Sequence, residues 1–311
     1  MDAMHRAAVT TALVTGGASG IGLETSLQLA RLGHHVIVAD RNVAGGEAAV
    51  GRIVETGGSA EFRELDLADL ARIREFASDE LARDRPLHVL INNAGLLPPM
   101  VRATTRDGFE LEFGVAHLGH FALTGLMLPA LARSSQARVV SVSSIAHRNG
   151  RIDLDDLQLE RGYSASSAYS GTKLACLMFA LELHRRATAA GCALISVAAH
   201  PGISKTPIAA GWEREDRRKL WDRAELFGYR ASIRLFGQTA AEGARSLVFA
   251  ATEPQVIGGG YYGPTGFLQM GGPPGPVAPR RSALDPVVAA RLWEASERLT
   301  GVRYELPTPI S

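Results

Sequence analysis

Along the chain, short apolar runs of the kind that make buried strands alternate with amphipathic stretches of helical period. Val9–Thr15 predicts a first strand and Gly20–Leu32 a helix that ends at Gly33. His35–Ala39 predicts a second strand, and Val43–Thr56 a helix stopped by Gly57 and Gly58. Further strands are expected at Ala60–Glu64, Leu87–Ile91, Ala137–Val142 and Ala193–Ala199, with helices near Leu70–Arg83, Arg106–Ala132 and Ala168–Ala190. Strand and helix in steady alternation argue for an α/β fold, a doubly wound parallel sheet with helices on both faces. Beyond Gly258 the clusters Gly258-Gly259-Gly260 and Gly271-Gly272-Pro273-Pro274-Gly275-Pro276 predict an irregular tail. A last helix is expected to open at Asp285-Pro286, an acidic cap followed by proline at the first helical position. The expectation is one domain over residues 1–265, with a lid over the site at about 203–237, followed by a C-terminal extension over 266–311.

Composition narrows the function classes. The 311 residues carry 33 Lys+Arg against 32 Asp+Glu, a formal net charge of +1, with no long run of either sign. That balance argues against nucleic acid or an acidic membrane surface as the main partner. The two cysteines, Cys176 and Cys192, read as small core residues with no disulfide framework or zinc spacing. No apolar run reaches the ~18 residues of a spanning helix, and the start of the chain lacks a signal peptide's apolar region. The reading is a soluble, cytoplasmic protein without a membrane anchor.

The first strand runs into Thr15-Gly16-Gly17-Ala18-Ser19-Gly20-Ile21-Gly22, and a helix follows at once. Glycines at 16, 20 and 22 allow a tight turn whose backbone N–H groups close on a pyrophosphate at the helix N-terminus. Asp40 ends the second strand, where an acid accepts hydrogen bonds from the adenine-side ribose and repels a 2′-phosphate. Arg41 pulls the other way, because a guanidinium is a good phosphate ligand. The reading favours NAD over NADP. Asp66, with Leu67 after it, follows the third strand and is a candidate for the adenine amino group or for a helix cap. Asn92-Asn93-Ala94-Gly95 ends the fourth strand, and outside that pair the chain has only Asn42 and Asn149.

Tyr169 and Lys173 are four apart in a helical stretch, so they share one face. An ammonium beside a phenol favours the phenolate, which lets tyrosine exchange protons with an alcohol or ketone. The chain's only lysines are Lys173, Lys205 and Lys219, so lysine here stands out against the general use of arginine.

The glycine loop, Asn92-Asn93-Ala94-Gly95, Ser143-Ser144, Tyr169 with Lys173, and Pro201-Gly202 stand in the order and spacing of the short-chain dehydrogenases/reductases, which the chain resembles over roughly residues 8 to 265. Phe113-Gly114-Val115, His117-Leu118-Gly119-His120-Phe121, Ser143-Ser144-Ile145-Ala146-His147, the insert Arg151–Ala165 and Tyr261-Tyr262-Gly263-Pro264 resemble the retinol-dehydrogenase-like branch. The resemblance implies a Rossmann-like fold and an NAD(P)-dependent oxidoreductase acting on a lipophilic secondary alcohol or ketone. It implies catalytic roles for Ser144, Tyr169 and Lys173. Cofactor contacts are implied for Gly16, Ser19, Gly20, Ile21, Gly22, Asp40, Arg41, Asp66, Leu67, Asn93, Ala94, Gly95, Tyr169, Lys173, Pro201, Gly202 and Thr206. It also implies pairing as a homodimer or homotetramer. One position departs from the pattern: Ala116 stands where the family usually has an asparagine that supports a water beside the lysine. Two alternatives therefore stay open at this point, a cofactor-binding sensor and a non-redox use of the same site, epimerase- or dehydratase-like. His117, His120, His147 and His200 lack ligand spacing and read as structural or rim residues.

Overall fold

The computed structural model describes residues 10–204 and 237–306. Eight strands among these residues form one sheet: β1 (Thr11–Thr15), β2 (His35–Asp40), β3 (Ser59–Glu64), β4 (Val89–Asn92), β5 (Arg138–Val142), β6 (Ile195–Ala199), β7 (Tyr261–Pro264) and β8 (Pro274–Pro276). Their order is β3-β2-β1-β4-β5-β6-β7-β8. Every pair is parallel except the antiparallel β7–β8 edge. Strand order reverses between β1 and β4, and in such sheets ligands bind at the carboxyl ends of the strands beside that switch.

Period-two alternation sorts the strand residues between two layers. Leu13, Ile37, Leu90 and Val139 face one layer, together with Phe76, Phe121, Phe179 and Leu183. This layer is built by α3 (Leu70–Ala82), α4 (His120–Leu126), α5 (Leu128–Ala132) and α6 (Ala165–Ala189). Ala12, Val14, Val36, Val38, Ile91 and Val197 face the other, under α1 (Gly20–Arg31), α2 (Val43–Glu55) and α7 (Ala240–Thr252). Burial on both faces is why these strands read as continuous apolar runs.

Two expectations are corrected. The single helix expected over Arg106–Ala132 is instead a π-helical segment, Phe113–Gly119, followed by α4 and α5. It begins late because the Glu110 carboxylate accepts the N–H groups of Glu112 and Phe113 and caps the segment there. It breaks at Met127 because Pro129, in the first turn of α5, has no N–H to continue the ladder. The tail expected to be irregular after Gly258 contains β7 and β8, whose pairing depends on β6 and not on local propensity. The capping aspartate before the last helix, α8 (Pro286–Thr300), is where the sequence suggested: Asp285 accepts the N–H groups of Val287 and Val288.

α8 carries Trp293 into the first core layer. The indole is 2% exposed, edge-on to Phe121 at 5.0 Å, stacked on Phe179 at 5.8 Å, and 4.5 Å from the ring of Tyr304. Trp293→Ala should therefore cost about 3–5 kcal/mol, read as a lowered denaturation midpoint in a single transition. A loss below about 1 kcal/mol would mean that α8 lies outside the cooperative unit.

Candidate active site

A cavity of about 790 Å³ opens at the carboxyl ends of β1, β2, β4, β5 and β6. All the expected site residues that fall among the described residues border it. Thr206, the lid expected at 203–237 with its aromatic residues, and the charged run Glu213–Lys219 lie outside the described residues, apart from the lid's positions 203, 204 and 237.

At the β1 end, the turn depends on two glycines. Gly16 adopts φ +65°, a left-handed conformation that side chains disfavour. A Cβ on Gly22 would lie 2.1 Å from the Gly16 carbonyl oxygen. Ser19, at the N-cap of α1, makes no side-chain cap bond, and the first turn holds no acid. The leading amides of α1 therefore keep their donors for an anion, which suits a pyrophosphate. Thr15 holds the turn against β4: its Oγ1 accepts the N–H groups of Asn93 (2.9 Å) and Ala94 (3.0 Å). Asn93 Nδ2 donates to the Thr15 carbonyl at 2.8 Å. Asn93 thus braces the glycine turn from beneath. Asn92 is turned away and donates to Thr124 Oγ1 at 2.9 Å.

Asp40 stands at the end of β2 with Oδ2 accepting the Ala18 N–H (3.2 Å) and Oδ1 the Asn42 N–H (3.0 Å). These bonds tie the carboxylate to the glycine loop at the cavity wall, with the exposed Arg41 beside it. Asp66 Oδ1 accepts the Ala68 N–H, and the cap of α3 falls to Asp69 instead.

At the other end, α6 opens on Ser164, whose Oγ accepts the Ser167 N–H. Ser143 Oγ donates to the Lys173 carbonyl at 2.7 Å, which fixes α6 against β5 at the height of the reactive groups. Ser144 Oγ accepts the Ala146 N–H, which orients it at the head of a short 3₁₀ turn, and it is hydrogen-bonded to the Tyr169 side chain. Tyr169 is half-buried, and Lys173 Nζ lies 5.4 Å from its ring centre.

The electrostatics differ from the simple expectation. Burial raises the Tyr169 phenol above its ordinary value; Lys173 and the Ser144 hydrogen bond lower it, while the carboxylate of Glu112 and Cys176 raise it. Burial alone would lower the Lys173 ammonium, but the Glu112 carboxylate, followed by Cys176 and Tyr169, reverses that and holds it charged. Lys173 does act on the phenol in the expected direction, but it does not win. Glu112 is a participant that the sequence reading missed. The available signal was an acid four residues before Ala116, on the same stretch of helix.

Burial holds His117, His120 and His200 neutral, with pKa values lowered to about 3, about 4 and about 3. His120 bridges the Ala116 carbonyl (2.9 Å) and Thr15 Oγ1 (2.8 Å), and His117 lies 2.9 Å from Ser296 Oγ. Met270, Ile203 and Asn149 also line the cavity without having been singled out from sequence. No helix among the described residues is long and apolar enough to cross a membrane.

A parallel doubly wound sheet with its cavity at the switch, a glycine turn at one end and a serine–tyrosine–lysine group at the other define a nucleotide-dependent oxidoreductase of α/β class. Comparison with known proteins narrows this further. The family described as short chain dehydrogenase matches residues 10–217. Polyprenol dehydrogenase of Mus musculus is 40% identical over 301 residues, covering 93% of this chain and 83% of that protein. Retinol dehydrogenase 12 of Homo sapiens is 39% identical, covering 94% and 87%. A crystal structure of a protein from Mycobacterium paratuberculosis aligns with TM-score 0.76 at 41% identity, covering 96% and 95%. One described as an NAD(P)-dependent gluconate 5-dehydrogenase from Beutenbergia cavernae, with NADP bound at low occupancy, aligns with TM-score 0.62 at 27% identity, covering 81% and 93%. The chain belongs to the short-chain dehydrogenase family and is an oxidoreductase acting on CH–OH groups.

Proposed function

We propose that the protein interconverts a lipophilic secondary alcohol and its ketone, with Tyr169 as proton donor and acceptor and NAD as the preferred cofactor. The observation that carries this reading is the meeting of Ser144, Tyr169 and Lys173 on the cavity whose other end is the glycine turn. When bound, the nicotinamide supplies or takes up the hydride. The Tyr169 hydroxyl gives its proton to the carbonyl oxygen in reduction and accepts one from the alcohol in oxidation. Ser144 Oγ donates to the same substrate oxygen as negative charge develops on it. Lys173 would hold the nicotinamide ribose hydroxyls, with Pro201 and Gly202 framing the ring. The glycine turn with Ser19 and Ile21 would hold the pyrophosphate, and Leu67, Asn93, Ala94 and Gly95 would flank the adenosine and central part. Beside Ser144 and Tyr169 the wall is made by Ile145, Ala146 and Ala165, with Leu96, Leu97 and Met270 also lining the cavity. That apolar lining suits a substrate without charge, and the retinol and polyprenol dehydrogenases among the relatives point the same way.

Both thiols are free, in keeping with a cytoplasmic, reducing compartment. The sensor and non-redox alternatives rest on Ala116, and they lose support because Lys173 has a polar neighbour in Glu112. Incubation with NADH or NADPH and a panel of lipophilic ketones, followed by cofactor absorbance, tests turnover. Absence of turnover with every member of the panel would count against the proposal.

The cofactor preference rests on Asp40. Asp40→Ala should remove the carboxylate facing a 2′-phosphate and leave Arg41, so NADP affinity should rise relative to NAD by about tenfold or more. Fluorescence titration of the reduced cofactors reads the ratio. A wild type that prefers NADP would overturn the assignment.

A further inference from the structure

Where the family resemblance leads one to expect asparagine, Ala116 offers only a methyl group, and its carbonyl is already taken by His120 Nδ1 and Cys176 Sγ. The polar group that meets Lys173 comes from four residues earlier. Glu112 is fully buried, with Oε1 3.1 Å from Lys173 Nζ and Oε2 accepting the Leu96 N–H at 2.9 Å. The turn after β4 comes close to both partners. A Cβ on Gly95 would lie 2.9 Å from Lys173 Nζ, 3.5 Å from Glu112 Oε1 and 3.7 Å from the Ala116 methyl. Three elements thus converge on one desolvated ion pair. Such a pair is costly to bring out of water, and apolar residues would pack the space as well, so stability alone does not account for it. It stands beside the one phenol whose protonation the reaction needs, and a carboxylate there opposes the field of the ammonium at that phenol.

We propose that Glu112 is a positioning residue of this site: its carboxylate fixes the Lys173 ammonium in place and sets how much of that positive charge the Tyr169 phenol feels. The inference rests on the reading of Tyr169 as the proton-exchanging group. Other groups bear on the phenol as well. Cys176 faces it from its own helix, Ser144 from the end of β5 and Tyr261 from β7. Glu110 and His120 stand behind the ion pair. Burial raises the Cys176 thiol to about 11 and lowers His120 to about 4, so neither carries charge at neutral pH. Among the described residues, Lys173 and Glu112 are the opposed charges that act on the phenol.

Glu112→Gln keeps the shape and the acceptor for Leu96 but removes the charge. Loss of a negative charge beside Lys173 lowers the phenol's pKa. The acid limb of kcat/KM for alcohol oxidation should therefore move to lower pH by about one unit or more. Glu112→Asp keeps the charge but withdraws it by one methylene, so the limb should stay near its wild-type position while kcat falls. A direct readout without cofactor is the ultraviolet tyrosinate titration of the wild type minus Tyr169→Phe. Tyr169 should titrate no lower than free tyrosine in the wild type, and lower in Glu112→Gln. Three results would overturn the proposal: a folded Glu112→Gln with unmoved limb and titration, a Glu112→Asp limb that shifts as far as the glutamine variant's, or a wild-type Tyr169 titrating a full unit below free tyrosine. The last needs no Glu112 variant to fold. If Tyr169→Phe turns over normally, it is the proton-exchange reading that fails. If Tyr169→Phe is inactive and Glu112→Gln has an unmoved profile, only the role of Glu112 fails.

Discussion

Replacing Tyr169 by phenylalanine should lower kcat/KM by about three orders of magnitude, the range general acid–base groups contribute, or about 4 kcal/mol of transition-state stabilisation. The ring that lines the cavity stays and only the hydroxyl is lost, so NADH affinity should stay within about threefold, a difference of less than 1 kcal/mol. Steady-state turnover together with a fluorescence titration of NADH separates the two effects. An enzyme that keeps its turnover would remove Tyr169 from the chemistry. The direction of the phenol's shift also fixes the pH dependence. Burial raises it, with Glu112 adding to the rise and Lys173 opposing it. Oxidation needs the phenolate, so its rate should climb with pH through the alkaline range. Reduction needs the neutral phenol, which is present at neutral pH, so its rate should be flat there and fall only where the phenol ionises. Profiles in both directions check the sign; an oxidation rate already level at neutral pH would contradict it.

The second large effect is expected from Gly22→Ala. The added methyl would lie 2.1 Å from the Gly16 carbonyl oxygen, 2.8 Å from its carbon and 2.6 Å from Asn93 Nδ2. Two of these atoms are backbone, so no rotamer change relieves the overlap. Either the turn or the start of α1 must shift, at about 1–3 kcal/mol in stability. The same shift moves the amides that α1 presents to the cavity, and NADH affinity should fall about 100-fold, worth about 2.7 kcal/mol. Cofactor titration and a thermal melt read both effects. Unchanged affinity in a folded variant would show that the pyrophosphate does not sit on this turn.

Much of this was legible in the chain because the relevant signals are local. Parallel strands covered on both faces read as apolar runs, and their helices carry glycine stops such as Gly33 and, at Asp285, an acidic cap. The glycine turn, Asn93, Ser144 and Pro201 also fall at strand ends, where a doubly wound sheet brings them together whatever the loops do. Legibility failed where distant partners decide the conformation. Tyr261-Tyr262-Gly263-Pro264 and Pro274-Gly275-Pro276 look like loop residues, yet β6 makes one a strand, which in turn pairs with the other. Residues 106–132 are expected as one helix, but Glu110 and Pro129 set where the helix begins and breaks. The sequence marks Asn93 as a cofactor residue, and the structure adds its brace under Thr15 and Gly16.

By itself the amino-acid order determined the layered architecture, the glycine turn and the helical pairing of Tyr169 with Lys173, because each is written in residues close together along the chain. Only the tertiary structure decided what surrounds that pair. Glu112 and Gly95 reach Lys173 from elements that no local pattern links to α6, and Ala116 lies beside Gly95. The phenol's proton affinity therefore follows from a balance of burial and two opposed charges that exists only once the chain has folded.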